Sequence, residues 1–238
     1  MKLTVALILL LSLSGCAKGS VNTMNKTDTA ENRPAQLTYL ALGDSYTIGE
    51  SVEQQQNFPY QLVNRLSAGG LKVAEPKIIA KTGWTTGELS SAIQAAALNS
   101  KYDIVTLLIG VNNQYRGYSI TAYRTEFAAL LQTAIDFAGK NTAHVFVVSV
   151  PDWGVTPYGV ESGRGQENIS KEIDAFNAVN KEETLKAGVS YIDITPGSRN
   201  AASDPKLVAA DGLHPSGKMY TDWVNLLTPV VTKALTLR

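Results

Sequence analysis

Ser45 follows an apolar run, Leu40-Ala41-Leu42, that breaks off in Gly43-Asp44-Ser45. A strand ending on such a turn lifts the serine out of the sheet. Its hydroxyl can then attack an acyl carbon, provided that a base, an orienting group for the base and donors for the oxyanion lie nearby. Gly-Asp-Ser by itself also suits an ordinary helix N-cap, so the partners decide between the two readings. The chain has two histidines, His144 and His214, and a neutral imidazole is the side chain suited to take a serine proton near pH 7. His144 opens a Val/Phe-rich run and reads as a structural strand histidine. His214 lies in the loop-like stretch Asp211-Gly212-Leu213-His214-Pro215. Asp211, three residues earlier with a glycine between, can fold back to accept the other ring N–H, which fixes the tautomer and stabilises the imidazolium.

The elements that must hold these residues alternate along the chain. Leu37 to Leu42, Lys77 to Ala80, Asp103 to Ile109, His144 to Val150 and Val189 to Ile194 are short, nearly continuous apolar runs, the pattern of parallel strands covered on both faces. Helical patterns lie between them. Asn57 to Leu66 carries Pro59 in its first turn, and Thr85 to Leu98 opens with Thr85 and Glu88 at capping-box spacing. Phe127, Leu130, Leu131, Ala134, Ile135 and Ala138 form one apolar stripe; Ile169, Ile173, Phe176 and Val179 form another, and a helix over Tyr220 to Leu235 closes the chain. Five strands separated by helices predict an α/β fold, a three-layer α/β/α sandwich around a five-stranded parallel sheet. Its sites would form beyond the carboxyl ends of the strands.

Four loops would open onto that edge: the one bearing Ser45, Lys81-Thr82-Gly83-Trp84, Gly110-Val111-Asn112-Asn113, and the Asp211 to Pro215 segment. Each alone reads as an ordinary turn, since Gly, Asn and Asp are common loop residues. In this order and spacing they resemble the blocks of the SGNH, or GDSL-type, hydrolase superfamily over roughly Leu37 to Leu235. The resemblance implies a flavodoxin-like sheet of order 2-1-3-4-5, with Ser45 as nucleophile, His214 as base and Asp211 as its orienter. It also implies an oxyanion hole made of the backbone N–H groups of Ser45 and Gly83 and the side-chain amide of Asn112. Gly83 would let a substrate oxygen come close, and Asn112 is a neutral donor for charge that appears only in the transition state. Two positions depart from the family pattern: Tyr46 stands where Leu is usual, and Asn113 where Asp is common.

The expected activity is that of a serine esterase working through an acyl-enzyme, without metal or organic cofactor, on a small-molecule ester. Short acyl esters, lysophospholipids and thioesters are the candidate substrates, and O-acetylated carbohydrate is the alternative. Trp84, Asn113, Trp153 and Tyr158 are expected around the substrate pocket, because loop aromatics can line an acyl or sugar site. Other classes are disfavoured. The sequence has no Gly-x-Ser-x-Gly elbow and no phosphate-cradling glycine motif, and one cysteine with two distant histidines makes a poor zinc site. Its 21 basic and 21 acidic residues leave no surplus charge for nucleic acid. A membrane-anchored binding module retaining the fold is the non-enzyme alternative; it predicts erosion of the triad or of the oxyanion donors. Oligomeric state is not legible.

The 238-residue chain is 44% hydrophobic, enough for one sizeable core. Its start reads as a targeting segment: Met1-Lys2, an 11-residue apolar run from Leu3 to Leu13, then Leu13-Ser14-Gly15-Cys16. That run is shorter than the ~20 residues needed to span a bilayer. Leu-Ser-Gly-Cys resembles the bacterial lipoprotein box, which implies cleavage after residue 15 and a membrane partner through lipid on Cys16. The expected organisation is a signal peptide over 1–15, a lipidated Cys16 with a polar tether over 16–36, and a hydrolase domain over 37–238. The expected location is the cell envelope: the outer membrane facing the periplasm in a Gram-negative host, since Ala17 is not the inner-membrane-retaining Asp, and otherwise the cell surface.

Overall fold

The computed structural model of the protein describes residues 36–236; the expected signal peptide, Cys16 and nearly all of the tether lie outside the described residues. Among the described residues there are five strands, β1 (Tyr39–Asp44), β2 (Lys77–Lys81), β3 (Ile104–Leu108), β4 (Val145–Val148) and β5 (Ser190–Ile192). They form one parallel sheet in the order β2-β1-β3-β4-β5, which agrees with the fold expected from the sequence. The helices are α1 (Ser45–Ile48), α2 (Phe58–Ala68), α3 (Thr86–Ala96), α4 (Val111–Tyr115), α5 (Ile120–Phe137), α6 (Pro157–Glu161), α7 (Gln166–Lys186), α8 (Thr195–Ser198) and α9 (Gly217–Thr236).

Strand periodicity explains the two cores. Tyr39 and Ala41 of β1, with Phe146 and Val148 of β4, face Phe58, Leu62 and Leu66 of α2 and Tyr220, Trp223 and Leu227 of α9. Leu40 and Leu42, with Val105 and Leu107 of β3 and Val145 and Val147 of β4, face Leu89 and Ile93 of α3, Phe127 and Leu131 of α5 and Phe176 and Val179 of α7. Consecutive residues thus point to opposite faces, and because both faces are covered the inner strands β1, β3 and β4 are buried along their length and mostly apolar. Asn57 caps α2 by accepting the Tyr60 N–H at 3.0 Å, with Pro59 in the first turn, and the Thr85–Glu88 capping box at α3 is formed.

Register places the site. Gly43 lies opposite Ala80 of β2 and Leu108 of β3, and Asp44 lies opposite Lys81. The chain therefore leaves β1, β2 and β3 at one level, which brings the Ser45, Gly83 and Asn112 loops to one edge. Two expectations are corrected. His144 does not belong to β4; it ends a 3₁₀ turn, Thr142–His144, that feeds the strand, so it is half-buried at the edge away from Ser45. The stretch after β4 is not an open loop: Asp152 caps a 3₁₀ turn over Trp153–Val155, and Thr156 and Pro157 start α6.

Candidate active site

At Ser45 the backbone is shaped by its neighbours. A Cβ on Gly43 would lie 2.1 Å from Thr47 Oγ1 and 2.4 Å from the Leu108 carbonyl oxygen, so glycine is needed for α1 to turn back over β1 and β3. Asp44 caps α1, its Oδ1 accepting the Tyr46 N–H at 3.0 Å. Ser45 is the first residue of that helix and lines a cavity together with His214. Among the described residues no hydrogen bond yet joins their side chains. Ligand-free serine sites commonly hold this contact long and close it on substrate.

The His214 loop closes on itself. Val208 and Pro215 form an antiparallel bridge, and the Ala209 N–H donates to the His214 carbonyl at 2.8 Å. Gly212, at φ +72°, makes the turn between them. Asp211 Oδ1 accepts the N–H groups of Leu213 at 2.9 Å and His214 at 3.0 Å, while Oδ2 lies 2.6 Å from His214 Nδ1. With Nδ1 committed to the carboxylate as a donor, Nε2 is left as the proton acceptor. Partial burial tends to raise the Asp211 pKa. The bonds from His214, the two backbone N–H groups and Ser51 outweigh it and hold the carboxyl well below the usual range, so it is anionic when the imidazole must become charged. Tyr46 sits edge-on to the His214 ring, centroids 5.6 Å apart; the residue that departs from the family pattern is a wall for the imidazole.

Opposite stand the prospective oxyanion donors. Gly83 is at φ +85°, and a Cβ there would find only Arg116 Nη2, at 3.8 Å. Glycine is therefore required by backbone conformation and not by space. Both carbonyls of this turn are held: Arg116 Nη2 donates to the Gly83 oxygen at 2.6 Å, and Asn112 Nδ2 to the Trp84 oxygen at 3.0 Å. Asn112 Nδ2 keeps a second hydrogen, and Asn112 itself lines the cavity.

That cavity has a volume of about 190 Å³ and is walled by Val111, Tyr115, Trp153, Tyr158 and Leu213 around Ser45, Thr82, Gly83, Asn112 and His214. Of the residues expected around a pocket, Trp153 and Tyr158 are there, and Trp84 and Asn113 are not. Trp84 packs against the core formed by α3 and α5. Asn113 is fully buried, accepting the Thr86 N–H at 3.0 Å and donating to Thr86 Oγ1 at 2.7 Å, which pins the start of α3. Tyr115 was missed, although its spacing three residues beyond Asn112 puts both on one side of a helical turn. Its hydroxyl meets that of Tyr158 at 3.1 Å, and Trp153 Nε1 donates to Gln114 Oε1 at 2.9 Å. Among the described residues, no three His, Cys, Asp or Glu side chains group as a metal site.

Asp44 is fully buried, and its Oδ2 has no partner among the described residues. Burial pushes its pKa up from 3.8 to about 7 against the opposing bond from the Tyr46 N–H. Between these values the native state keeps a proton that the unfolded chain has released, so stability falls as pH rises through this window. Asp211 acts in the opposite sense, contributing stability above its unfolded pKa that is lost on acidification. Asp44→Asn stays neutral and should flatten the decline between about pH 4 and 7. Urea midpoints measured across that range check this, and a wild-type decline left unchanged by the substitution would refute it.

A parallel α/β sandwich whose carboxyl edge gathers a serine, a carboxylate-bound histidine and polar donors has the makings of a serine hydrolase. Residues 41–221 match the model of the GDSL-like Lipase/Acylhydrolase family; the chain belongs to that family and is an ester-hydrolysing enzyme by class. Solved structures share the fold. TesA is 18% identical with a TM-score of 0.65, the match covering 83% of this chain and 99% of that one. The lipase/acylhydrolase from Enterococcus faecalis is 21% identical at 0.65, covering 83% and 96%. The acetylxylan esterase from Geobacillus stearothermophilus is 16% identical at 0.60, covering 85% and 95%. At such identities the likeness is one of fold. No curated protein matches the sequence.

Proposed function

We propose that the protein is a serine carboxylic-ester hydrolase with Ser45 as nucleophile, selective for small acyl groups. The observation that carries this is the convergence of Ser45 and His214 on one aromatic-walled cavity, with Asp211 bonded to the far nitrogen of the ring. His214 Nε2 takes the Ser45 proton as Oγ attacks the ester carbon. Asp211 stabilises the imidazolium, and the N–H groups of Ser45 and Gly83 with Asn112 Nδ2 receive the oxyanion. The imidazolium then protonates the departing alcohol, and a water activated by the same histidine hydrolyses the acyl-enzyme. No step calls for a metal or an organic cofactor.

The size of the cavity supports a short acyl chain. At about 190 Å³ the cavity lies below the ~300 Å³ at which drug-sized ligand pockets begin. A long lysophospholipid chain would have to lie outside it. O-acetyl carbohydrate is the second reading, favoured by Tyr115 and Tyr158, which are 47% and 41% exposed at the mouth and offer ring faces of the kind sugars stack on. We also propose that the chain is a lipoprotein anchored through Cys16, a reading that rests on the Leu13–Cys16 sequence.

The experiment is a panel of p-nitrophenyl esters from acetate to decanoate, lysophosphatidylcholine, a long-chain acyl thioester and acetylated xylo-oligosaccharide. Highest kcat/KM is expected on acetate or butyrate. Decanoate or lysophosphatidylcholine as the best substrate would overturn the small-acyl assignment, and failure to turn over any ester would favour a binding module. Fractionating cells that express the wild type or Cys16→Ser tests the anchor: only the wild type should stay with the membranes.

A further inference from the structure

The segment Gly49–Ser51 lies outside every motif read from the sequence, yet it touches three parts of the site. It hangs from the nucleophile's own backbone: the N–H groups of Gly49 and Glu50 donate to the Ser45 carbonyl at 3.1 and 3.0 Å. Glu50 Oε2 accepts the hydroxyl of Thr82, the residue before Gly83. Ser51 Oγ donates to Asp211 Oδ2 at 2.7 Å, across 160 positions of sequence. That is the same oxygen that faces His214 Nδ1.

The backbone at Ser51 adds an independent observation. Its φ is +66°, in the left-handed region that disfavours a residue with a Cβ. Glycine would sit there without strain. What glycine lacks is the hydroxyl, and here the hydroxyl is spent on Asp211. Strain held at a position whose only distinguishing contact reaches a site carboxylate is the pattern expected of a functional constraint.

We propose that Ser51 is a positioning residue for ester hydrolysis, its hydroxyl locking Asp211 so that the carboxylate stays aligned with His214; this rests on the esterase reading above. Asp211 needs such a lock because its side chain is 30% exposed. Its Oδ1 is fixed by two backbone N–H groups, and Oδ2 by the imidazole alone unless Ser51 supplies the second bond. Through Glu50 and Thr82 the same segment ties this carboxylate to the turn that presents the Gly83 N–H.

The test compares the full-length wild type with Ser51→Ala, Ser51→Gly, Ser51→Thr, Asp211→Asn and the Ser51→Ala/Asp211→Asn double variant. The readouts are the second-order rate of fluorophosphonate labelling, kcat and KM on p-nitrophenyl acetate, and thermal midpoints. Ser51→Ala and Ser51→Gly should each lower labelling and kcat about tenfold with KM little changed, a fraction of the ~10⁴ that an orienting carboxylate itself is worth. Ser51→Thr, which keeps the hydroxyl, should restore most of the rate. Ser51→Gly should melt no lower than the wild type, because it relieves the backbone, so its loss of rate would be separated from loss of fold. In the Asp211→Asn background, removing the hydroxyl should cost little more. Wild-type rates in Ser51→Gly, or an equal loss with and without the Asp211 carboxylate, would overturn the proposal. A wild type that neither labels nor hydrolyses esters would overturn the esterase reading itself, and this inference with it.

Discussion

Ser45→Ala should lower kcat for ester hydrolysis by about 10⁶, the scale seen when a serine nucleophile is removed from a working triad. It should also abolish labelling by a fluorophosphonate. The loss is expected to be chemical and not structural. Ser45 holds Gly49 and Glu50 through its backbone carbonyl, and Asp44 caps α1 through its own side chain; alanine leaves both intact. A buried hydroxyl removed from a cavity wall leaves no orphaned partner, so the thermal midpoint should move little. Intact-mass analysis after labelling, beside circular dichroism melts, separates the two effects. A folded Ser45→Ala protein that still turns over ester would place the nucleophile elsewhere.

His214→Ala should cost about as much, because without the imidazole nothing takes the serine proton. Asp211→Asn should cost about 10⁴. An amide at position 211 can turn an N–H toward Nδ1 where the carboxylate accepts one, which favours the wrong tautomer and removes the charge that stabilises the imidazolium. His144→Gln should retain wild-type kcat, since that residue lies in the turn before β4 at the opposite edge of the sheet. Pre-steady-state acylation rates and kcat/KM for these variants check the assignments. An active His214→Ala protein, or a folded but inactive His144→Gln protein, would contradict them.

What the sequence determined by itself was local or periodic. The sheet was legible because strands covered on both faces are nearly continuous apolar runs, and the helices because their stripes recur at helical spacing. Asp211 and His214 could be paired because three residues with a glycine between them close a turn, and the Thr85–Glu88 box because its bonds span one helical turn. Strand order was legible only through resemblance to a family, since periodicity says which residues face a core and not which strand lies beside which.

The tertiary structure decided the contacts between segments far apart in sequence, and above all the direction in which loop side chains point. Asn112 and Asn113 are adjacent and chemically alike. Yet the helical turn of α4 sends one toward the cavity and the other into the α3 start, a rotation of about 100° that 3.6 residues per turn imposes. Trp84 and Trp153 both read as loop tryptophans in sequence, but Trp153 starts a 3₁₀ turn that packs against α7 and α6 and lines the cavity, whereas Trp84 packs against the core on the other face. Ser51 carries no local signal at all. Its role depends on a parallel sheet that sets β1 between β2 and β3, so that the turn after α1 comes within a hydrogen bond of a loop 160 residues away.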